Sequence, residues 1–487
     1  MEWKENKFVI GIFSCIFLFL VLFFAYINPV VIYDGDDWCN LSYLRAPIPK
    51  WGIWNPIKVL PELLTPFAGH IAAYIVNPFV NDYIFSVTVT TAIILAVFIT
   101  TYFSMFYRIA VEKLATDKYS ACASVLMLMG LHFLIFRNSS YGSSFMFSSC
   151  NLTCYYHYVI PNLLNAIMVM YLYLNNDFKN CSLDSFKVGG MLLGIYLAIF
   201  SNVFSSIILA VYVGFVLLKN LLDRIHDKFR LLTYVKDNKF YLLVLAVWGI
   251  SLLFEAHGGR SKSIGAPLLA LPIVPTLKAL KNLLLSSNKY FVACCVISIF
   301  VVGFISKRKA MWSQLIQSMF VRVALWGLCM TGIYTVLLCA KAGVGYIYRT
   351  DVVFASVFYG FLLLHFMFVF CLNTCPQIKV VVPILLFVIL TPLFDQKSFR
   401  HSTMGNVAPE KCIAIDNYLI EQIKAASLRG DKEMTLIVPK GDNNDNWPHP
   451  DYMGGNILKT LKAHGIVDRD MKIKIQPNPE LNKKYNL

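Results

Sequence analysis

The densest chemistry in this chain is Tyr33-Asp34-Gly35-Asp36-Asp37-Trp38, three carboxylates within four residues and a Trp beside them. Such a run has two readings. It is a solvated helix end, or it is a set of acids held against aromatic walls, where partial desolvation raises a carboxyl pKa towards neutrality. The residues that follow favour the second reading. Arg45, Trp51, Trp54, Glu62 and His70 stand in an otherwise apolar stretch. Aromatic faces stack on sugar rings, and a carboxylate of raised pKa suits removal of a proton from a sugar hydroxyl.

An anionic leaving group needs cations. Glu255-Ala-His-Gly-Gly-Arg260-Ser-Lys262 and Lys341-Ala-Gly-Val-Gly-Tyr-Ile-Tyr-Arg349 are Gly-containing loops that carry Arg. Glycine allows close backbone approach, and a guanidinium can grip a phosphate with two N–H groups. Lys262 and Lys341 read as ordinary interfacial lysines, which leaves Arg260 and Arg349 as the phosphate candidates. In the tail, Trp447-Pro448-His449-Pro450 either presents Trp447 and His449 to an acceptor glycan or packs the Trp onto its own unit; the second reading is favoured. Cys150, Cys154 and His157 are spaced as metal ligands could be, but unpaired thiols or one loose disulfide is the favoured reading. The other cysteines sit in apolar runs as small hydrophobes.

The elements that position these groups follow from composition. Of 487 residues, 57% are hydrophobic and 15% charged, against about 25% charged in soluble domains. This excludes disorder, fibres and a soluble enzyme and leaves a polytopic membrane protein. Apolar runs at 8–32, 83–107, 120–136, 157–174, 188–218, 240–254, 290–305, 316–340, 351–372 and 380–394 give an all-α membrane part of about 9–11 helices. The first is too long for a signal-peptide core and is read as retained.

Net charge is +15, yet residues from Asp395 onward hold 14 Lys and Arg against 12 Asp and Glu. The surplus therefore belongs to residues 1–394, where it reads as topology and phosphate contact, and no basic stripe suggests nucleic acid. With the N-terminus inside, Arg108, Lys113 and Lys118 fall inside, as the positive-inside rule prefers. The basic loop Lys219–Lys239 stays inside only if 188–218 breaks near Ser201-Asn202 into a pair that enters and returns. Broken backbone at membrane depth requires surrounding protein or a wet cavity. The same topology puts residues 33–82, the Glu255–Lys289 loop and the tail outside. Residues 50–82 read as short, Pro-broken helices lying in the membrane interface. Residues 395–487 read as a small α/β domain: a helix near Pro409–Ser427, a strand Met434–Val438, a turn-rich Gly441–Tyr452, a helix Gly455–His464 and a strand Lys472–Gln476.

The acidic-Trp motif after the first helix, Trp51-Gly-Ile-Trp54-Asn-Pro, the Glu255-x-x-Gly-Gly-Arg260 turn and Trp447-Pro-His449-Pro together resemble the serotype-converting O-antigen glucosyltransferases (Gtr family) carried by temperate bacteriophages. More broadly, the layout resembles the GT-C class of membrane glycosyltransferases. The resemblance covers the whole chain in layout, through short motifs. It implies transfer of glucose from undecaprenyl-phosphate-glucose to a sugar of the lipopolysaccharide O-antigen, at the periplasmic face of the bacterial inner membrane. By motif, Asp36 and Asp37 match the family's catalytic acidic pair, with Asp34 nearer the membrane. Which acid is the base stays open. Trp38, Arg45, Trp51, Trp54, Glu62, Glu255, Arg260, Arg349, Trp447 and His449 are the candidate substrate contacts. No cofactor is demanded; a divalent ion on the acids is compatible with the motif. The alternatives are a flippase for lipid-linked sugar, disfavoured because the helices carry few ionisable residues, and an O-antigen polymerase or ligase.

Overall fold

The computed structural model describes residues 2–42, 58–137, 144–175, 185–225, 230–257, 270–309, 311, 315, 317–375, 377 and 399–487. Among them, nine helices are long and apolar enough to cross a membrane: Asn6–Ile27, Val59–Val80, Tyr83–Lys113, Leu152–Leu174, Val203–Arg224, Lys239–His257, Lys289–Arg308, Met319–Ala342 and Thr350–Thr374. The chain is a helical, multi-pass membrane protein with a small α/β unit near its C-terminus. Arg45, Trp51, Trp54, Arg260 and the expected helix 380–394 lie outside the described residues.

The run 188–218 is broken. Helices Ser185–Ile199 and Val203–Ile225 are separated by Phe200-Ser201-Asn202. Ser201 Oγ donates to Ala198 O at 2.6 Å, closing the first helix. The Asn202 carbonyl oxygen accepts from Phe204 N–H at 2.8 Å and its amide donates to His157 O at 2.8 Å. Asn is favoured at a helix start for this reason. Ser201, Ser205 and Ser206 are fully buried, so the interruption is enclosed in protein.

Val59–Val80 corrects an expectation. In place of several short pieces it is one helical run of 22 residues with a π-turn at Ala72–Val76. Pro61 falls in the first turn, where a helix N–H has no partner to lose, and Pro66 is carried inside the helix. Both ends of the run are tied to the same end of the molecule. Val59 N–H donates to Phe200 O at 2.7 Å, while Tyr74 OH donates to Ala463 O of the C-terminal unit at 2.8 Å. The run is long and apolar enough to cross a bilayer.

In the C-terminal unit, helix Pro409–Arg429 leads to β1 (Glu433–Pro439), and helix Met453–Ala463 then leads to β2 (Lys472–Asn478). The strands pair in parallel from Glu433–Lys472 to Pro439–Asn478. Parallel pairing requires a crossover, which the Met453–Ala463 helix provides, and a short helix Pro479–Tyr485 closes the chain. The unit docks through Ser42 Oγ to Thr460 Oγ1 at 2.8 Å, Tyr83 OH to His464 Nδ1 at 2.7 Å and Asn28 Nδ2 to Ser402 Oγ at 3.1 Å.

Gly69 marks how tight this docking is. A Cβ there would lie 2.6 Å from Leu41 O and 2.9 Å from the His464 ring. Overfilling a packed contact costs about 1–3 kcal/mol. Gly69→Val is therefore expected to loosen the C-terminal unit and speed its removal by limited proteolysis. Gly11→Val, whose Cβ meets nothing within 4 Å, should leave the rate unchanged.

Candidate active site at the acid turn

The first membrane helix ends in a π-turn at Phe23–Ile27, the chain runs extended to Tyr33, and Gly35–Asn40 forms a short helix. Asp34 and Asp37 stand at the cap and third positions, the spacing at which a side chain can return to the cap backbone. Asp37 Oδ2 accepts from Asp34 N–H at 3.2 Å and Tyr33 N–H at 3.3 Å. Its Oδ1 accepts from Thr153 N–H at 2.8 Å, across 116 residues of sequence. Three N–H donors thus hold one buried carboxylate in a fixed orientation.

The neighbouring acids differ sharply. Asp36 is exposed, whereas Asp34 and Asp37 are each 1% exposed. Burial pushes Asp37 up to about 6, against the stabilising pull of its N–H donors. Burial and then the Asp37 charge push Asp34 up to about 8, with Asn151 opposing. Both Asp34 oxygens lack a partner in hydrogen-bonding geometry. Trp38 is fully buried, stacked on Tyr83 at 6.4 Å between ring centres.

Asp34 makes a stability prediction. Its folded value of about 8 lies above the ordinary 3.8, so the folded state holds a proton that the unfolded state releases. Stability attributable to this group is then lost as pH rises from about 4 through about 8, at roughly 1.4 kcal/mol per unit at most. Asp34→Asn, which cannot ionise, is expected to raise the unfolding temperature at neutral pH and to flatten its fall with pH. A variant that melts lower than wild type at pH 8 would refute this.

A cationic group lies on the far side of the segment Ser148–Cys154. Arg349 makes a two-pronged ion pair with Asp351, Nε to Oδ1 at 3.0 Å and Nη2 to Oδ2 at 2.8 Å. Its guanidinium lies 4.4 Å from the centre of the Tyr158 ring. Ser149 Oγ also donates to Asp351, and Thr350 Oγ1 donates to Ser148 O at 3.1 Å. The segment that gives Thr153 N–H to Asp37 therefore also anchors the Arg349 pair, and Cys150 between them feels the charges of both Arg349 and Asp37. The Arg349 side chain keeps 23% of its surface exposed, enough to meet an incoming anion.

Cys150 and Cys154 are close, their sulphurs 3.5 Å apart. Among the described residues, no three His, Cys, Asp or Glu side chains are grouped to hold a metal. His157 instead pairs its Nδ1 with Thr153 O at 2.9 Å.

The tail loop lies against the acid helix and not simply on its own unit. A Cβ at Gly35 would lie 3.6 Å from Pro448 O and 3.7 Å from the Trp447 ring. His449 is 1% exposed, sits edge-on to the Tyr33 ring at 5.7 Å, and is pushed down to about 4 by burial. Glu62, in the first turn of the Val59–Val80 run, and Glu255, in the last turn of Lys239–His257, are half-buried.

Besides Asp351, a second acid escaped the sequence reading. Asp416, on helix Pro409–Arg429, is fully buried, and neither oxygen has a partner in hydrogen-bonding geometry. Burial, then the charges of Asp37 and Asp34, hold its carboxyl well above the usual range. A signal was present: Asp416 falls on the stripe Cys412, Ile415, Leu419, Ile420, Ile423, all buried. A charged residue on an apolar stripe is the informative exception.

An apolar groove of about 550 Å³ opens beside this end of the molecule, lined by Leu60, Leu63, Leu64, Phe67, His70 and Leu197. It runs between the Val59–Val80 helix and helix Ser185–Ile199. Compared with known proteins, the chain matches no family model, no curated protein and no solved structure.

Proposed function

We propose that this chain is an inner-membrane glycosyltransferase that moves glucose from undecaprenyl-phosphate-glucose to a sugar of the O-antigen. In this reading the acid turn and the C-terminal unit face the periplasm and the N-terminus faces the cytoplasm. The observation that carries it is Asp37: a buried carboxylate, oriented by three N–H donors and pushed up to about 6, at the end of the first membrane helix. A base near neutrality that cannot rotate away is suited to taking a proton from a hydroxyl.

In the proposed reaction Asp37 takes the acceptor hydroxyl proton as that oxygen bonds to the anomeric carbon. The bond from that carbon to the phosphate oxygen breaks on the opposite face, and polyprenyl phosphate leaves with the electron pair. Arg349 meets the departing charge, a role in which preorganised donors contribute most. The apolar groove suits a hydrocarbon carrier, and Trp447, beside the acid helix, is assigned to the acceptor glycan, with the buried His449 supporting its loop. Asp36, exposed on the same turn, is assigned to substrate contact and not to the base.

The test is a mass and linkage analysis of host lipopolysaccharide with and without the chain. A hexose added to the repeat unit only when the chain is expressed supports the reading. Unchanged lipopolysaccharide, with the protein present in the membrane, rejects it.

A further inference from the structure

Asp34, Asp37 and Asp416 are 1%, 1% and 0% exposed, and they act on one another electrostatically across the junction of the acid turn with the C-terminal unit. Three buried negative charges without cations would be prohibitively costly, because each would lose its hydration with nothing to replace it. The groups facing Asp416 are Cys412 on its own helix, Tyr33, Asp34, Asp37 and Trp38 from the acid turn, and Tyr83 from the helix Tyr83–Arg108. Among the described residues none of these is a cation; Lys459, on helix Met453–Ala463, acts on Cys39 of the acid helix. Arg349 is charge-balanced by Asp351 until an anionic substrate arrives.

The hydrogen bonds divide the three carboxyls. Asp37 accepts three N–H groups, which favour its charged form. Asp34, the cap residue of the acid helix, faces the Asp37 N–H and Asn151 without closing either bond in full geometry, and neither Asp416 oxygen has a partner in that geometry. The fully buried Trp38 indole N–H, also without a partner in that geometry, faces Asp416 closely enough to act on it. Such unmet groups concentrate here: of sixteen buried side-chain N and O atoms left unpaired among the described residues, seven belong to Asp34, Asp416, Trp38, Trp447 and His449. A native structure keeps unmet polar atoms where they serve a purpose.

We propose that Asp416 is the third buried carboxyl of the acid site, and that it and Asp34 are held as neutral acids beside an ionised Asp37. The C-terminal unit then supplies part of the site's chemistry. An apolar setting can keep a carboxylic acid neutral at pH 7, where it becomes a hydrogen-bond donor. The buried cluster carries one negative charge in place of three, so a phosphate-bearing substrate meets less repulsion, and of the three buried acids only Asp37 is free to accept a proton. Asp416 is a positioning residue: it acts through Asp37. The inference deepens the proposed transfer reaction and rests on it only for what the proton arrangement serves.

Infrared spectroscopy of the purified full-length protein in detergent tests it without any assay of transfer. At pH 7 the wild type should show a neutral-carboxyl C=O band that shifts in D2O. Asp416→Asn and Asp34→Asn should each remove a share of it, and Asp37→Asn should remove little. Asp37→Asn should also move the loss of the band on alkaline titration to lower pH, because it removes the negative charge that keeps the other two protonated. The same shift measured in an Asp34→Asn background, where Asp416 is left as the source of the band, keeps the idea testable if Asp416→Asn does not fold, and a merely structural Asp416 would not produce it. An unchanged band in folded Asp416→Asn overturns the proposal. So does a band that appears only after chelation, which would mean that a cation, and not protons, neutralises the acids. Loss of the transferase reading would leave these spectra as they are, and ionised acids would leave lipopolysaccharide glucosylation as it is, so the two failures are distinguishable.

Discussion

Asp37→Asn is expected to lower glucose incorporation into lipopolysaccharide by about 10²–10⁴-fold, the usual range for removing a general base. Asparagine fills the same space but cannot take the acceptor proton. It also offers only one acceptor oxygen where Asp37 meets three N–H donors. The turn should therefore weaken by about 1–3 kcal/mol, so membrane levels must be measured alongside activity. The companion result is a pH profile. Burial pushes Asp37 up to about 6, so wild-type activity should fall as pH drops towards that value and the base becomes protonated. Asp36→Asn, on the exposed side of the same turn, should keep this acid limb. An Asp37→Asn protein that is present and glucosylates at the wild-type rate would remove the proposed base.

The second large effect is expected at Arg349, but a single substitution would mislead. Asp351 is 1% exposed and pairs with Arg349 through both oxygens. Removing the cation alone would leave a buried charge uncompensated, at a cost of about 3–5 kcal/mol. Arg349→Gln combined with Asp351→Asn takes both charges away and keeps side chains able to hydrogen-bond. That double variant should fold with nearly wild-type thermal stability in detergent and lose about 10²–10³-fold in transfer rate, as when an oxyanion donor is removed. Arg349→Lys should fall between, since lysine keeps the charge but not the two-pronged geometry or the stacking on Tyr158. Full activity in the folded double variant would mean that the departing phosphate is met elsewhere.

The two predictions probe different partners of one short segment. Thr153 N–H holds Asp37, while Ser149 and the Ser148 carbonyl hold Asp351 and Thr350. Base and cation are thereby fixed relative to each other by six residues of backbone, a shared rigid support of the kind that catalytic geometry requires. Movement of this segment would disturb both at once.

Local signals in the sequence determined a good deal. Apolar run length identified the membrane class, because a lipid interior admits only chains that satisfy their own backbone. Ser201-Asn202 marked the break between helices Ser185–Ile199 and Val203–Ile225, since both residues offer side chains that end or start a helix. The tail's helix–strand–helix–strand order was legible from alternation and turn residues. Each of these signals acts within a few residues of itself.

Tertiary structure decided everything that joins distant segments. Nothing near Asp36 and Asp37 in the chain shows that one is exposed and the other buried beneath Thr153, or that Asp416 arrives beside Asp34 from the C-terminal unit. Nor does it show that Arg349 is matched to Asp351, or that Trp447 lies over Gly35. Burial and the loss of hydration depend on which surfaces dock, and docking is the sum of many weak contacts spread over the chain. A carboxyl's type is written in its codon; its proton is assigned only by its neighbours in space.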